Sequence, residues 1–338
     1  MTVSRGAVQD VERGGKAGAI LLSGGTEIVS SGGVASGTTI SRGGLQHIES
    51  GGKSVSATVF VGGTQIISAG VLASATTVSV GGTQEIESGG KAISGTVDDG
   101  TVIVFAGGLA SATTVEDLGQ LLASGGTLSR SLIASGGQEI VYSAGLAVGT
   151  SVGSAATETV SSSGTASGTA VSGGNSLQSV ESAGTAIGTM LGSGGEQTVV
   201  GKAVGTRVAG SGFQAILPGG TAIGATVGSG GFQIVESAGV AISTTIAGSG
   251  VQQVTSGATA SATTVSGAAA LAFVFSGATG VGATVSKGGF LDADGGALTS
   301  ATVKAGGLLE VQSSGTVTSA TILSGGFLEM FGPSSAAG

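Results

Sequence analysis

Few residues in this chain could take part in acid–base or metal chemistry. Cysteine is absent and His47 is the only histidine, so thiolate, zinc–cysteine and paired-histidine sites are excluded. His47 stands at a strand position that Ile28 and Ile66 occupy in the neighbouring repeats, which favours a tolerated substitution over a ligand. No base accompanies the abundant Ser and Thr hydroxyls. The sequence therefore predicts no catalytic residue, no metal site, no cofactor and no enzymatic activity.

Two close pairs of aspartates, Asp98/Asp99 and Asp292/Asp294, are the only candidates for a calcium site. Calcium-binding β-helical repeats carry Gly-Gly-x-Gly-x-Asp in every turn, whereas Asp is rare here and Gly-Gly is followed by Thr, Leu, Lys or Phe. Surface clusters are therefore the favoured interpretation of both pairs. A further acidic column alternates with Ser in successive repeats, which indicates avoidance of stacked like charges: Glu12, Ser30, Glu49, Ser68, Glu87.

Hydroxyl side chains are the residues left to carry a function. One column of Thr directly precedes an apolar residue in most repeats, so we expect it to face solvent: Thr39, 58, 77, 96, 114, 189, 226, 245, 264, 284, 302 and 321. Three interpretations are open, namely stacking of Thr between neighbouring strands, acceptance of O-linked sugars together with nearby serines, and ice binding. The array is only one Thr wide, which disfavours ice binding.

The composition excludes several classes of protein. Gly accounts for 70 of 338 residues, but Pro for only 2 and without a Gly-X-Y period, so the chain is not collagen. A net charge of −8, with Lys and Arg scattered, argues against a nucleic-acid partner. No stretch of about 20 apolar residues predicts a transmembrane segment. The first 15 residues lack the features of a secretory signal, and no C-terminal stretch has the alternation of a membrane β-barrel.

A repeat of about 19 residues runs through the whole chain, and its clearest copies lie between Leu22 and Val59. About 17 units end on an apolar residue: Leu21, Ile40, Val59, Val78, Val97, Val115, Ile133, Val152, Val171, Met190, Val208, Val227, Ile246, Val265, Val285, Val303 and Ile322. A second apolar column precedes it within each unit: Val11, Val29, Ile48, Ile67, Ile86, Val104, Leu122, Val141, Val160, Val180, Val199, Ile216, Val235, Val254 and Val274.

Each unit has two apolar–polar alternations separated by Gly-rich turns, which predicts two short strands and no helix. Stacked units would pair these strands in parallel and align both apolar columns in one core. Gln stands two residues before the second apolar column and therefore on the same strand face, which predicts an amide ladder along the axis: Gln9, 46, 65, 84, 120, 178, 197, 214, 233 and 252. The sequence predicts an all-β fold, a parallel β-helix of about 17 turns.

The units SGGTEIVSSGGVASGTTI, VGGTQIISAGVLASATTV and VGGTQEIESGGKAISGTV closely resemble the passenger repeats of self-associating autotransporters of the AIDA type. This resemblance implies a right-handed parallel β-helix at the bacterial cell surface. It also implies adhesion, autoaggregation and biofilm formation through contacts between passengers, with O-heptosylation by a bacterial heptosyltransferase. The implied glycosylation or contact residues are Ser30, Ser31, Ser36, Thr39, Thr58, Ser68, Ser74 and Thr77.

We therefore predict a single β-helical domain over residues 1–338, with repeats over 4–322 and a partial repeat or C-terminal cap over 323–338. The expected partners are a second copy of the chain, the modifying heptosyltransferase, and a host or bacterial surface. An extracellular location is expected, with the export signal and translocator absent from this chain. The alternative is a passive structural stalk or scaffold without a specific receptor.

Overall fold

The computed structural model describes residues 1–338, and its regular elements are all β-strands. The chain divides into two compact units, Met1–Thr169 and Ala170–Gly338. The strands β1–β27 lie in the first unit and β28–β54 in the second, and they repeat in groups of three, so each unit makes nine turns. This confirms the predicted all-β parallel solenoid with a repeat of about 19 residues, although it has about 18 turns where the sequence predicted 17. It contains no helix long and apolar enough to cross a membrane.

In chain order, β1 to β27 span Thr2–Ser4, Val8–Val11, Lys16–Gly18, Leu21–Ser23, Thr26–Val29, Val34–Ser36, Thr39–Ser41, Leu45–Ile48, Lys53–Val55, Thr58–Val59, Thr64–Ile67, Leu72–Ser74, Thr77–Val78, Thr83–Ile86, Lys91–Ile93, Thr96–Asp98, Thr101–Phe105, Leu109–Ser111, Thr114–Glu116, Gln120–Ser124, Thr127–Ser129, Leu132–Ile133, Gln138–Tyr142, Leu146–Val148, Ser151–Val152, Thr157–Val160 and Thr165–Ser167.

In the second unit, β28 to β54 span Ala170–Ser172, Leu177–Val180, Thr185–Ile187, Met190–Gly192, Glu196–Val199, Lys202–Val204, Arg207–Val208, Phe213–Ile216, Thr221–Ile223, Thr226–Val227, Phe232–Val235, Val240–Ile242, Thr245–Ala247, Val251–Val254, Thr259–Ser261, Thr264–Ser266, Ala270–Phe275, Thr279–Val281, Thr284–Val285, Gly289–Asp294, Ala297–Thr299, Thr302–Val303, Leu308–Gln312, Thr316–Thr318, Thr321–Ile322, Phe327–Met330 and Ser335–Ala337.

Every turn contributes one strand to each of three parallel sheets. Sheet 1 takes the first strand of each turn, sheet 2 the second and sheet 3 the third. Neighbouring turns pair in register, so that Thr58 lies beside Thr39 and Val59 beside Ile40. Because paired strands are about 4.8 Å apart, the same repeat position recurs at that spacing along the solenoid. The sequence columns therefore become columns of stacked side chains.

The prediction of two strands per repeat is wrong. Each repeat has three strands, because its second apolar–polar alternation is divided between a strand of sheet 3 and a strand of sheet 1. A residue with positive φ separates the two short strands: 66° at Gly37, 53° at Ser56 and 51° at Ala75. Only glycine adopts this conformation readily. Many repeats have Ser or Ala at this position, and neither residue type indicates a turn in the sequence.

The core consists of the inward side chains of all three sheets. Ile40 on sheet 1, Ile48 on sheet 2 and Ala35 on sheet 3 are fully buried, as are most of their counterparts in other turns. At five positions the predicted orientation of a side chain is wrong by one residue: three in the apolar columns and two in the Gln and Thr columns. The inward residues are Leu22 in place of Leu21, Leu191 in place of Met190, Ala123 in place of Leu122 and Leu121 in place of Gln120, and Thr189 lies inside. Where two apolar residues are adjacent, the sequence does not show which of them faces inward. A shift of one residue exchanges the inner and outer faces of a strand.

Candidate functional site

The outward Thr column of sheet 1 is continuous over long stretches of both units. Thr39, Thr58 and Thr77 pair side by side, and the row continues through Thr96 and Thr114. In the second unit, the row runs from Thr226 to Thr321. Thr39, Thr58 and Thr77 are half-buried between their neighbours. The row is a stripe of hydroxyls, one residue wide, on the outer face of sheet 1.

The predicted serines differ in how free their hydroxyls are. Ser31 and Ser36 are exposed, whereas Ser30, Ser68 and Ser74 are half-buried. The Ser30 hydroxyl donates to Glu49 Oε2 at 3.0 Å. The Ser68 hydroxyl donates to Glu87 Oε2 at 2.8 Å. The alternation of Ser with Glu therefore provides a hydrogen bond between turns, in addition to separating the carboxylates.

His47 occupies the predicted position on the outer face of sheet 2. It pairs with Ile28 on one side and Ile66 on the other. Its Nε2 lies 2.9 Å from the Ser68 hydroxyl oxygen, and its ring is half-buried. No group of three or more His, Asp or Glu residues in the chain is arranged to hold a metal ion. The contact therefore links His47 to the Ser68–Glu87 pair on the surface.

The predicted Gln ladder lies inside the solenoid. The Gln65 amide donates to Gln46 Oε1 at 2.6 Å, and the Gln84 amide donates to Gln65 Oε1 at 2.6 Å. In the second unit, the same ladder joins Gln178, Gln197, Gln214, Gln233 and Gln252. All five of those side chains are buried. The ladder satisfies polar groups that would otherwise be costly to bury.

A buried hydroxyl column, which sequence reasoning missed, supports this ladder. The Thr76 hydroxyl donates to Gln65 Oε1 at 3.2 Å, and the Thr189 hydroxyl donates to Gln178 Oε1 at 2.9 Å. Ser54, which lies in the column of Ala35 and Ala73 on sheet 3, adds a bond to Gln46 Oε1 at 3.2 Å. The column contains the first Thr of the Thr-Thr dipeptides, so the two threonines face opposite sides. Strand alternation was the available signal, because the residue before an outward Thr must face inward.

Three glutamates replace Gln in the ladder, and sequence reasoning missed them as well. Glu27, Glu139 and Glu158 are fully buried. Glu27 Oε2 accepts from the Gln46 amide at 2.7 Å and from the Thr38 hydroxyl at 3.0 Å. Burial nevertheless raises the pKa of Glu27. Each of the three stands two residues before a core valine, which is the signal that could have identified it.

Glu139 and Glu158 are paired on neighbouring turns of sheet 2. Burial and the adjacent Glu158 carboxylate raise the pKa of Glu139 well above its usual value. Glu139 Oε1 accepts from the Thr150 hydroxyl at 2.7 Å, but its buried Oε2 has no hydrogen-bond partner. A proton retained by one of the two carboxyl groups would remove the repulsion between them.

The prediction that both acidic pairs lie at the surface is wrong for Asp292, which is buried, and both clusters extend across turns. Asp98 pairs with Glu116 on the next strand of sheet 1. Partial desolvation, a hydrogen bond and the charge of Asp117, and the charge of Asp99 raise the pKa of Asp98. Asp292 is 4% exposed and accepts from the Gln312 amide at 2.8 Å. Both clusters are stacks of like charge.

Several solved chains match this chain, and one of them covers nearly its whole length. It is the crystal structure of a TibC-catalysed, hyper-glycosylated TibA fragment, 28% identical in sequence, with a TM-score of 0.54 over 98% of this chain and 99% of the other. No protein-family model and no curated protein matches the chain. The TibA fragment is an autotransporter adhesin passenger of the AIDA type. The resemblance to these passenger repeats is confirmed. The chain therefore shares its solenoid fold and its type of repeat with this passenger fragment.

Proposed function

We propose that the chain is the passenger of a bacterial surface adhesin and that its outward hydroxyls accept O-linked heptose from a bacterial heptosyltransferase. The observation that carries the proposal is the full-length match, at 28% identity, to a passenger fragment that is itself hyper-glycosylated. The outer faces of both units offer hydroxyls in regular columns, as a modifying enzyme that acts on many sites requires. An adhesin also acts at the cell surface, so the location proposed here is extracellular.

Ser31 and Ser36 are the acceptors that the geometry favours first. Both lie in exposed positions, and neither hydroxyl is hydrogen-bonded to a side chain of the chain. The Ser31 hydroxyl adjoins Gly51 on the next turn, which has no side chain to crowd a sugar. Ser30 and Ser68 would have to release a glutamate first. Neighbours about 4.8 Å away restrict access to Ser74 and to the half-buried row of Thr39, Thr58 and Thr77.

Co-expression with a heptosyltransferase of this class tests the glycosylation proposal. The intact mass should increase in steps of one heptose, and the number of steps should fall in a Ser31→Ala/Ser36→Ala variant. Ser54→Ala is the matched control, because the Ser54 hydroxyl is buried and should carry no sugar. An unmodified mass for the wild-type chain would refute the proposal.

We also propose that the displayed chain associates with further copies of itself, and so promotes autoaggregation and biofilm formation. Repeated faces favour many weak contacts that act together when many copies stand on one surface. Cells that display the chain should settle faster than cells that do not. Equal settling would favour the alternative, a passive stalk or scaffold without a specific receptor. Binding to host cells can be measured with the same displayed chain.

A further inference from the structure

Sheet 3 differs from the other two sheets in its charge. The chain has 19 Asp and Glu residues against 11 Lys and Arg, yet none of its acidic residues lies on a strand of sheet 3 in either unit. Four lysines do lie on these strands: Lys16, Lys53 and Lys91 in the unit Met1–Thr169, and Lys202 in the unit Ala170–Gly338. Sheet 3 is therefore a basic face on a chain of net charge −8.

Three of these lysines occupy the same outward position of sheet 3 on alternate turns. In register, the row reads Lys16, Val34, Lys53, Leu72 and Lys91, and we call it the lysine stripe. The three lysines are exposed, and Leu72 is 42% exposed. Because neighbouring strands are about 4.8 Å apart, the strands of successive lysines are about 9.6 Å apart and the stripe is about 19 Å long.

No carboxylate of the chain neutralises the lysine stripe. None of its three ammonium groups forms an ion pair. The acids that are nearest to the lysines along the chain are Glu12, Glu49 and Glu87, each separated from its lysine by the turn between sheets 2 and 3. Glu49 and Glu87 accept hydrogen bonds from Ser30 and Ser68 instead. The positive charge of the stripe is therefore available to an anionic partner.

The surface between the lysines is apolar and is bordered by hydroxyls. Val34 and Leu72 separate the three lysines along the stripe. Ser36 and Ser74 follow these two residues on the same strands and face the same side, because alternate residues of a strand share a face. Ser36 is exposed and Ser74 is half-buried. A sugar ring has an apolar C–H face and a hydroxyl edge, so it can contact both kinds of group at once.

The spacing of the lysines distinguishes between anionic partners. Each strand of duplex DNA carries one negative charge per about 3.4 Å, so most phosphates along the stripe would have no lysine. Basic clusters that bind anionic membranes contain about four to eight Lys or Arg residues, more than the stripe provides. A linear polysaccharide with an acidic group on every second sugar has more widely spaced charges. This class of polymer fits the stripe best.

We propose that the lysine stripe binds a linear acidic polysaccharide, whose carboxylate or sulfate groups contact Lys16, Lys53 and Lys91. The Lys ammonium is a compact charge with three rotatable donors, so it accommodates either group. Exposed ion pairs are individually weak, but one polymer that contacts many displayed copies is held by the sum of their contacts. This inference rests on the adhesin function proposed above and names the chemistry of the surface that the adhesin would contact.

The test measures binding of the purified chain to immobilised hyaluronan, which is carboxylated, and to immobilised heparin, which is also sulfated. The chain is used without glycosylation, because a sugar on Ser36 or Ser74 would cover the stripe. The wild type should bind at least one of the two polymers and lose affinity as salt rises, because binding releases counterions. Lys53→Gln/Lys91→Gln should weaken binding roughly 5- to 30-fold at low salt and reduce its salt dependence.

Two matched controls separate the stripe from the overall charge of the chain. Lys287→Gln/Lys304→Gln removes the same charge from exposed lysines outside sheet 3 and should bind like the wild type. Leu72→Glu places an acid between Lys53 and Lys91 and should abolish binding. Val80→Glu adds the same charge at an exposed turn outside sheet 3 and should leave binding unchanged. Circular dichroism should be the same for all four variants, because each substituted side chain points outward.

Several outcomes would overturn the proposal. The stripe is not the site if the wild type binds neither polymer, if Lys53→Gln/Lys91→Gln binds as tightly as the wild type, or if the lysine control is weakened equally. Tighter binding to single-stranded DNA or to vesicles that contain phosphatidylserine would assign the stripe to a different partner. None of these results bears on the adhesin function, which fails instead if cells that display the chain adhere to no surface while the purified chain binds the polymers.

Discussion

The buried pair Glu139–Glu158 should make the stability of the chain depend on pH, and replacing Glu158 by Gln should reduce that dependence. In the Glu158→Gln variant, the new side-chain amide at position 158 can donate to Glu139, which already accepts from Thr150 at 2.7 Å. The chain already contains this arrangement, because Glu27 accepts from the Gln46 amide at 2.7 Å and from the Thr38 hydroxyl at 3.0 Å. The substitution therefore converts a repulsive pair into one that is tolerated elsewhere in the same ladder.

The direction in which stability changes with pH follows from the raised pKa of Glu139. In the unfolded chain this carboxyl has a pKa near 4.5, and in the folded chain its pKa is well above that value. The stability associated with the retained proton is fully present below about pH 4.5 and decreases as pH rises toward the folded pKa. The loss is up to about 1.4 kcal/mol per pH unit for one retained proton. Glu158→Gln should therefore stabilise the chain by about 1–3 kcal/mol at pH 7.5 and hardly at all at pH 4.

Urea denaturation followed by circular dichroism from pH 4 to pH 8 measures this effect. Gln46→Glu is the matched reverse variant, because it places a second carboxyl beside Glu27 and should introduce the same loss of stability above pH 4.5. Equal stability differences for Glu158→Gln at pH 4 and pH 7.5 would refute the retained-proton interpretation. So would a Gln46→Glu variant that keeps its stability as the pH rises.

Two further predictions concern the ladder and the corners of the solenoid. Gln65→Leu should destabilise the first unit by about 2–3 kcal/mol in urea titration, because it leaves the Gln84 amide and the Thr76 hydroxyl without their acceptor. Gln252→Leu, at the end of its run, should cost less, and equal losses would contradict the ladder argument. Ala75→Gly should raise the urea midpoint by the equivalent of about 0.5–1 kcal/mol, because Ala75 has a φ of 51°. A lower midpoint would show that this corner is not strained.

Much of the fold could be predicted because in-register stacking repeats the same environment in every turn. Val29 and Ile48 fill equivalent positions, so their column appears directly in the sequence, as does the Gln ladder. The third strand could not be predicted, because its single inward residue is small, as at Ala35 and Ala73. Such a strand has little hydrophobic signal. The choice of the inward residue was wrong where two apolar residues are adjacent, as at Leu21 and Leu22.

The candidate site was less predictable, because the exposure of a hydroxyl depends on its neighbours in other turns. Ser30 and Ser31 are adjacent in sequence, yet Ser30 is bonded to Glu49 and Ser31 is exposed. The partner of Ser30 lies 19 residues away, so only the register reveals it.

Peptide mapping of sugars on the chain co-expressed with a heptosyltransferase of the proposed class tests the central claim most directly. We predict heptose on outward hydroxyls, with Ser31 and Ser36 among the first modified. We predict none on the buried hydroxyls Ser54, Thr76 and Thr150, which bond to the interior ladder. An unmodified chain would contradict the proposed function, and sugar on the buried hydroxyls would contradict the arrangement of the faces.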